Sequence, residues 1–246
     1  MRRRYLLASV IAAMCCAACG RKDASSSKHD AAHGDPTLGS HALVTHDQGK
    51  GTAPAITPAV NTKPTGSLLL ALSMGRSPNF VVPRDSFANK WSAIGRRHMY
   101  ANGPFYTAMW AAENAKGGQA HTLSADKPSD PADEISLALI EVEHGGSIQD
   151  AAYAYTQPGQ PMTAGSVTTD GPAMLIAVWG GDGSALQHTA VPGDGFNIID
   201  SYLSLGPTSG VQVAIAVRKV SKAGTYSMTW EATPPQGAAC YLIAVE

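Results

Sequence analysis

Two apolar segments of the chain resemble each other, and this internal repeat limits the possible folds more than any other feature. Leu-Leu-Leu-Ala-Leu at residues 68–72 aligns with Met-Leu-Ile-Ala-Val at residues 174–178, a shift of 106 residues. The same shift aligns Ala108-Met109 with Ala214-Ile215. Near the end of the chain the shift falls to 103, where residues 139–143 align with residues 242–246. The pattern predicts two related halves, at about residues 64–144 and 165–246.

Short apolar runs separated by Gly, Pro, Asn and Asp predict that both halves are built from β-strands. A repeat that occurs only twice does not make a solenoid. We therefore expect an all-β domain over residues 64–246, a two-sheet, jelly-roll-like β-sandwich with pseudo-two-fold symmetry. The predicted strands are 67–74, 90–94, 105–111, 121–125, 135–142, 173–179, 197–201, 211–217, 226–231 and 239–245.

The N-terminus has the pattern of a secretory signal peptide over residues 1–18. Three arginines follow Met1, and an apolar run of about 14 residues extends from Tyr5 to Ala18. The run is shorter than the roughly 20 residues that a permanent transmembrane helix needs. We therefore expect export and removal of the segment.

Cys16-Ala17-Ala18-Cys19 resembles the bacterial lipobox, in which small residues precede the cysteine that is acylated. The resemblance implies a lipoprotein with palmitate or related chains on Cys19, held in the lipid bilayer. Gly20 lacks the acidic character of an inner-membrane retention signal, so outer-membrane sorting is expected, with the domain periplasmic or surface-exposed. Cys16 stands where the family prefers Leu, and an ordinary secretory signal is the alternative.

Residues 19–63 are rich in small and polar residues and predict a disordered linker between the lipid and the domain. Half of the eight histidines of the chain lie in this segment: His29, His33, His41 and His46. Weak metal binding by them is an open alternative, but the pattern does not predict a metal site.

Three further segments resemble a diffuse group of bacterial secreted jelly-roll-like domains, mostly uncharacterised surface modules. They are residues 83–91, 110–118 and 223–230. Their residues form turns and strand ends, so the resemblance implies a fold and supports a function only by analogy.

Charge and cysteine content exclude several classes of function. Without the signal-peptide arginines the chain has 15 basic and 19 acidic residues and no basic stripe, which argues against a nucleic-acid partner. After cleavage and acylation only Cys240 remains as a free thiol, and its apolar neighbours predict a buried, inert side chain. No motif indicates a cofactor.

Glu141 and Glu143 are the sharpest catalytic candidates. Residues i and i+2 of a strand point to one face, about 7 Å apart. Paired carboxylates on a jelly-roll strand resemble those of laminarinase-like glycoside hydrolases, in which they serve as acid and nucleophile or base. In the repeat, however, Glu141 aligns with Ala244. A strand that ends in a solvated turn is therefore the preferred interpretation.

The stretch from Tyr100 to Tyr106 predicts a loop that carries aromatic rings, with Asn102 between them. Rings exposed to solvent stack on sugars, and amides bond sugar hydroxyls. Tyr100, Asn102, Phe105 and Tyr106 are therefore candidate ligand-binding residues. Trp110, Trp179 and Trp230 lie in apolar strands and are predicted to pack in the core.

The leading hypothesis is a membrane-tethered, non-enzymatic envelope module that binds a glycan or a protein. One alternative is a jelly-roll carbohydrate-active enzyme that uses Glu141 and Glu143. The other is a purely structural envelope or assembly component.

Overall fold

The computed structural model describes residues 34–76, 82–100, 105–127, 133–183, 187–206 and 209–246, which belong to a single unit. The signal peptide, Cys16, Cys19, His29 and His33 lie outside these ranges. The described strands, in chain order, are β1 (Thr37–His46), β2 (Ala55–Ile56), β3 (Ser67–Gly75), β4 (Arg84–Asp85), β5 (Ser92–Tyr100), β6 (Phe105–Ala115), β7 (Leu123–Ala125), β8 (Ile135–Glu143), β9 (Ile148–Thr156), β10 (Ser166–Thr169), β11 (Ala173–Gly181), β12 (Thr189–Pro192), β13 (Asn197–Tyr202), β14 (Val213–Val220), β15 (Gly224–Ser227), β16 (Trp230–Thr233) and β17 (Ala238–Val245).

Each half of the chain forms one five-stranded antiparallel sheet. The first sheet has the order β1-β8-β3-β6-β5, and the second has the order β13-β14-β11-β17-β9. The main core lies between the two sheets, with Leu70 and Ile140 from the first and Ile176 and Ile243 from the second. The protein is therefore a two-sheet β-sandwich in which the halves stack, since neither contributes a strand to the sheet of the other.

Small sheets cover the outer face of each large sheet. Strands β2, β7 and β4 cover the first sheet, and the pairs β10-β15 and β12-β16 cover the second. The central strands are consequently buried on both faces, which explains why β3 and β11 are nearly continuous apolar runs instead of alternating ones.

Strand register matches the repeat found in the sequence. Leu68 pairs with Val142 in the first sheet, and Met174 pairs with Val245 in the second. These partners are related by the two shifts, 106 for β3 to β11 and 103 for β8 to β17. The pairs Leu70–Ala111 and Ile176–Val217 obey the 106 shift on both strands. The two halves thus repeat the same ladder.

The predicted linker is wrong over its described part, residues 34–63. Strand β1 pairs with β8 along the edge of the first sheet, and β2 pairs with β7. Its counterpart β9, also absent from the prediction, pairs with β17 along the edge of the second sheet. Edge strands are held largely by backbone hydrogen bonds, so small and polar side chains suffice there. Each half consequently begins earlier than predicted.

Candidate functional site

Glu141 holds the first edge strand in place. Its side chain is 1% exposed and accepts hydrogen bonds from the Ser40 amide at 3.0 Å, the Lys63 amide at 2.8 Å and the Ser67 hydroxyl at 2.7 Å. A Cβ on Gly39 would lie 2.6 Å from the Glu141 Oε2 atom, so only glycine fits beside the carboxylate. The carboxylate thus fixes β1 and the chain before β3 to strand β8.

Glu143 lies at the end of β8, partly exposed, with its Oε2 atom 3.6 Å from Lys63 Nζ. A glycosidase pair must reach a sugar from both sides of the scissile bond. Glu141 has its carboxylate buried and occupied by three donors, so the geometry of this pair is that of a structural clamp.

The predicted aromatic site is not formed as a single exposed platform. Tyr100 is 2% exposed, and burial raises the pKa of its hydroxyl strongly. Phe105 is half-buried and packs against the core between the sheets. Tyr106 is half-buried, with the Arg97 guanidinium 4.5 Å from the centre of its ring. Asn102 lies outside the described residues. The prediction for Tyr100 is wrong because its ring completes the inter-sheet core.

Asp85 is the centre of a polar network that the sequence did not reveal. Its carboxylate accepts hydrogen bonds from the Phe87 amide at 2.8 Å, the Trp91 indole Nε1 at 2.7 Å and the side chain of Asn89 at 3.1 Å. Burial alone would raise the pKa of Asp85, but its bonds with His121, Phe87 and Trp91 outweigh burial and lower the pKa. The side chain is therefore a buried, ionised carboxylate.

His121 connects this carboxylate to the chain before β3. Its Nε2 atom lies 3.3 Å from Asp85 Oδ1, and its Nδ1 atom lies 2.8 Å from the Thr62 hydroxyl. The order Asp, His, Thr is that of a hydrolase triad. However, His121 is fully buried, Thr62 is 7% exposed and its hydroxyl also accepts the Gly118 amide. We assign the arrangement to holding the chain between β2 and β3 against β7.

Beside this network in the chain lies an open, polar groove along β5 and β6, on the face of the first sheet that carries the inter-sheet core, to which Ala111 belongs. Its lining residues are Lys90, Ser92, Ala111, Glu113 and Asn114, and its volume is about 330 Å³. Within the described part of the chain, the four polar side chains of the lining form no hydrogen bond or ion pair. They are therefore available to a ligand.

A β-bulge forms one wall of the groove. Ser67 pairs with Ala115 and Leu69 with Ala112, so Glu113 and Asn114 together face one residue of β3. Asn114 has φ +48°, a left-handed conformation that asparagine tolerates better than most residues. Bulges redirect side chains and are frequent beside functional sites. Here the bulge places two polar side chains on the groove.

The opposite wall is fixed by Asn89. Its side chain accepts a hydrogen bond from the Lys116 amide at 2.8 Å and donates one to the Lys116 carbonyl at 2.8 Å. The backbone amide of Asn89 donates to the Asp85 carboxylate. Lys90 follows directly, and Ser92 pairs with Ala111 across the ladder. The Asp85 network therefore holds both walls of the groove in one geometry, as a preformed binding site requires.

The described part of the second half repeats neither this bulge nor this network at the matching positions. Its ladder continues without a shift from Trp179–Ala214 to Ala173–Val220. When the strand pairings of the two halves are aligned, Asp85 corresponds to Gly193 and His121 to Ser227. The turn that contains Asn89, residues 85–92, is three residues longer than the matching turn at residues 193–197. Phe196 fills the position of Trp91 and is buried among apolar side chains. The bulge and the network beside the groove are thus not repeated at the matching positions of the second half, where an open groove of about 350 Å³ lies elsewhere, lined by residues 191–194, Thr229 and Glu231.

A second buried carboxyl group lies at the start of β8. Glu134 accepts hydrogen bonds from the Ser209 hydroxyl and the Gly210 amide, which belong to the second half. Burial raises the pKa of Glu134, although these bonds oppose the shift. The group joins the two halves and is 2% exposed, so it has no access to a substrate.

In the ranges that the structure describes, no group of His, Cys, Asp or Glu side chains could hold a metal ion. No helix in those ranges has the length and apolar character that crossing a bilayer requires. Searches of protein-family models, curated proteins and solved structures found no match to this chain.

Proposed function

We propose that the chain is an exported, lipid-anchored and non-enzymatic envelope module, whose first half binds a component of the envelope. The observation that carries the binding role is the open groove of Lys90, Ser92, Glu113 and Asn114, in which the polar side chains have no partner in the described chain. The side chains that could serve as catalytic acids or bases, Asp85, His121 and Glu141, are all buried and contact other protein groups.

The anchor rests on the lipobox-like segment and on Cys19. Strand β1 begins at Thr37, so 17 residues separate Cys19 from the sandwich. Fully extended, such a segment spans at most about 60 Å. The module therefore acts close to the membrane that carries it, on partners within the adjacent layer of the envelope.

Palmitate labelling of the full-length chain in its native envelope tests the anchor. We expect label on the wild-type protein and none on the Cys19→Ala variant. Equal labelling of the two proteins would overturn the lipid attachment, and a Cys16→Ala variant controls for acylation at the neighbouring cysteine.

The enzyme alternative is tested separately with Glu141→Gln and Glu143→Gln. Fragments released from a panel of β-glucans are measured by chromatography with the wild-type chain and both variants. We expect no release by any of them. Release that disappears in both variants would establish the hydrolase and overturn the non-enzymatic module.

A further inference from the structure

The groove of the first half points to a ligand class, and this inference rests on the binding role proposed above. Its lining contains an ammonium group on Lys90, a carboxylate on Glu113, a hydroxyl on Ser92 and an amide on Asn114. These groups include hydrogen-bond donors and acceptors, and their formal charges cancel. Ala111 is the single apolar residue of the lining.

This chemistry excludes two ligand classes. An apolar ligand needs a lining that is predominantly hydrophobic and aromatic, which the groove lacks. A polyanion needs an excess of cations, and the groove has one cation beside one anion. A ligand rich in hydroxyl groups can use every member of the lining, because each hydroxyl both donates and accepts.

The shape of the groove restricts the ligand further. A volume of about 330 Å³ is at the lower end of the range for small-molecule sites. The groove is open to solvent, so a longer chain can continue beyond it. Internal units of a saccharide polymer fit both conditions.

We infer that the groove of Lys90, Ser92, Glu113 and Asn114 binds one or two units of an uncharged saccharide polymer. Glu113 and Asn114, which lie on the bulge, accept hydrogen bonds from sugar hydroxyls. Lys90, on the opposite wall, donates a hydrogen bond to a sugar oxygen. The Asp85 network holds these walls before the ligand arrives, which lowers the entropy cost of binding.

The test is an NMR titration of the non-acylated Cys19→Ala chain with three probes: maltotetraose, chitotetraose and the polyanion polygalacturonate. We expect one neutral tetrasaccharide to shift the backbone amide signals of residues 90–92 and 111–114. Polygalacturonate should cause no comparable shift in these signals.

Two variants in the same background assign the contacts. Asn114→Gly keeps a backbone that adopts positive φ and removes only the amide side chain, and Glu113→Ala removes the carboxylate. Each should weaken binding about five- to tenfold, the effect of losing a hydrogen bond or two. Glu231→Ala, an exposed glutamate of the second half, should leave the affinity unchanged.

Several outcomes would overturn the assignment. They are unchanged affinity in both groove variants, preferential binding of polygalacturonate, and the absence of shifts with every probe. Shifts confined to another surface would refute the groove and keep the binding module, whereas palmitate labelling tests the anchor independently of all these results.

Discussion

The two halves of the sandwich share one ladder but use different chemistry to stabilise it. In the second half, Phe196, Met228 and Trp230 pack on the outer face of its sheet as an apolar layer. In the first half the corresponding region is organised by ionised Asp85, its donors and His121. The outer layers of both halves contain an apolar cluster, so the halves diverge at this one position while the inter-sheet core, which both need, stays apolar.

The bulge shows what this divergence allows. At the matching position of the second half the ladder is regular up to Val220. In the first half the hydrogen bonds between Asn89 and Lys116 fix the backbone next to the bulge. We therefore expect substitutions in the first half to reveal electrostatic and hydrogen-bond effects that matched substitutions in the second half do not.

The largest difference between the halves is expected at Asp85. Asp85→Asn places an amide NH₂ against several buried N–H donors that lose their charged acceptor, which should lower the free energy of unfolding by about 3–5 kcal/mol. The matched variant Asp194→Asn, at an exposed turn of the second half, should change it by less than about 0.5 kcal/mol. Urea denaturation measures both, and equal effects would contradict a structural role for the network.

The next effect concerns the clamp on strand β1. Glu141→Gln should lower the free energy of unfolding by about 2–3 kcal/mol, because the charged acceptor is lost and the new NH₂ donor faces either the Ser40 amide or the Lys63 amide. Hydrogen exchange should increase first in residues 37–46. Glu143→Gln, on the same face but partly exposed, is the control, and similar exchange in the two variants would argue against the clamp.

The pH dependence of stability should have two limbs of opposite sign. The lowered pKa of Asp85 contributes stability that is present above about pH 4 and is lost as the pH falls through its folded value. The raised pKa of Glu134 acts oppositely, because its contribution is present below about pH 4 and is lost as the pH rises through its folded value.

Denaturation between pH 3 and pH 8 separates these limbs. Asp85→Asn should flatten the acid side, whereas Glu134→Gln should flatten the side toward neutral pH. A wild-type profile that both variants reproduce unchanged would show that neither carboxyl group is coupled to folding.

The smallest effect is expected at the bulge. Asn114→Gly removes the cost of a left-handed side-chain residue but adds backbone freedom to the unfolded chain, so stability should change by less than about 1 kcal/mol. Thermal denaturation measures this change. A large loss would mean that the Asn114 side chain supports the fold, which would weaken its use as a probe of binding.

Much of the fold was predictable because burial on two faces leaves a strong signal. Strands β3, β8, β11 and β17 are continuous apolar runs, and all were predicted close to their observed bounds. Their register in the two sheets agrees with the shifts of the repeat. The edge strands β1 and β9 were missed, since a half-buried strand paired on one side needs no apolar run and its composition resembles that of a linker.

The candidate site was much less predictable. Lys90, Glu113 and Asn114 do not belong to a recognisable sequence motif. Glu113 and Asn114 reach the groove because β6 has one residue more than β3 at the bulge, and this is visible only in the strand pairing. One signal was present in the sequence: the turn at residues 85–92 is three residues longer than its counterpart at residues 193–197. An insertion confined to one repeat marks the place where the two halves differ.

The sequence by itself determined the class of fold, the duplication and the positions of the central strands, because these follow from the order of apolar residues along the chain. The tertiary structure alone decided which polar residues hold the fold and which are free. A carboxylate such as Glu141 looks the same in sequence whether water or three protein donors surround it, and only its position in space distinguishes a buried clamp from a reactive group.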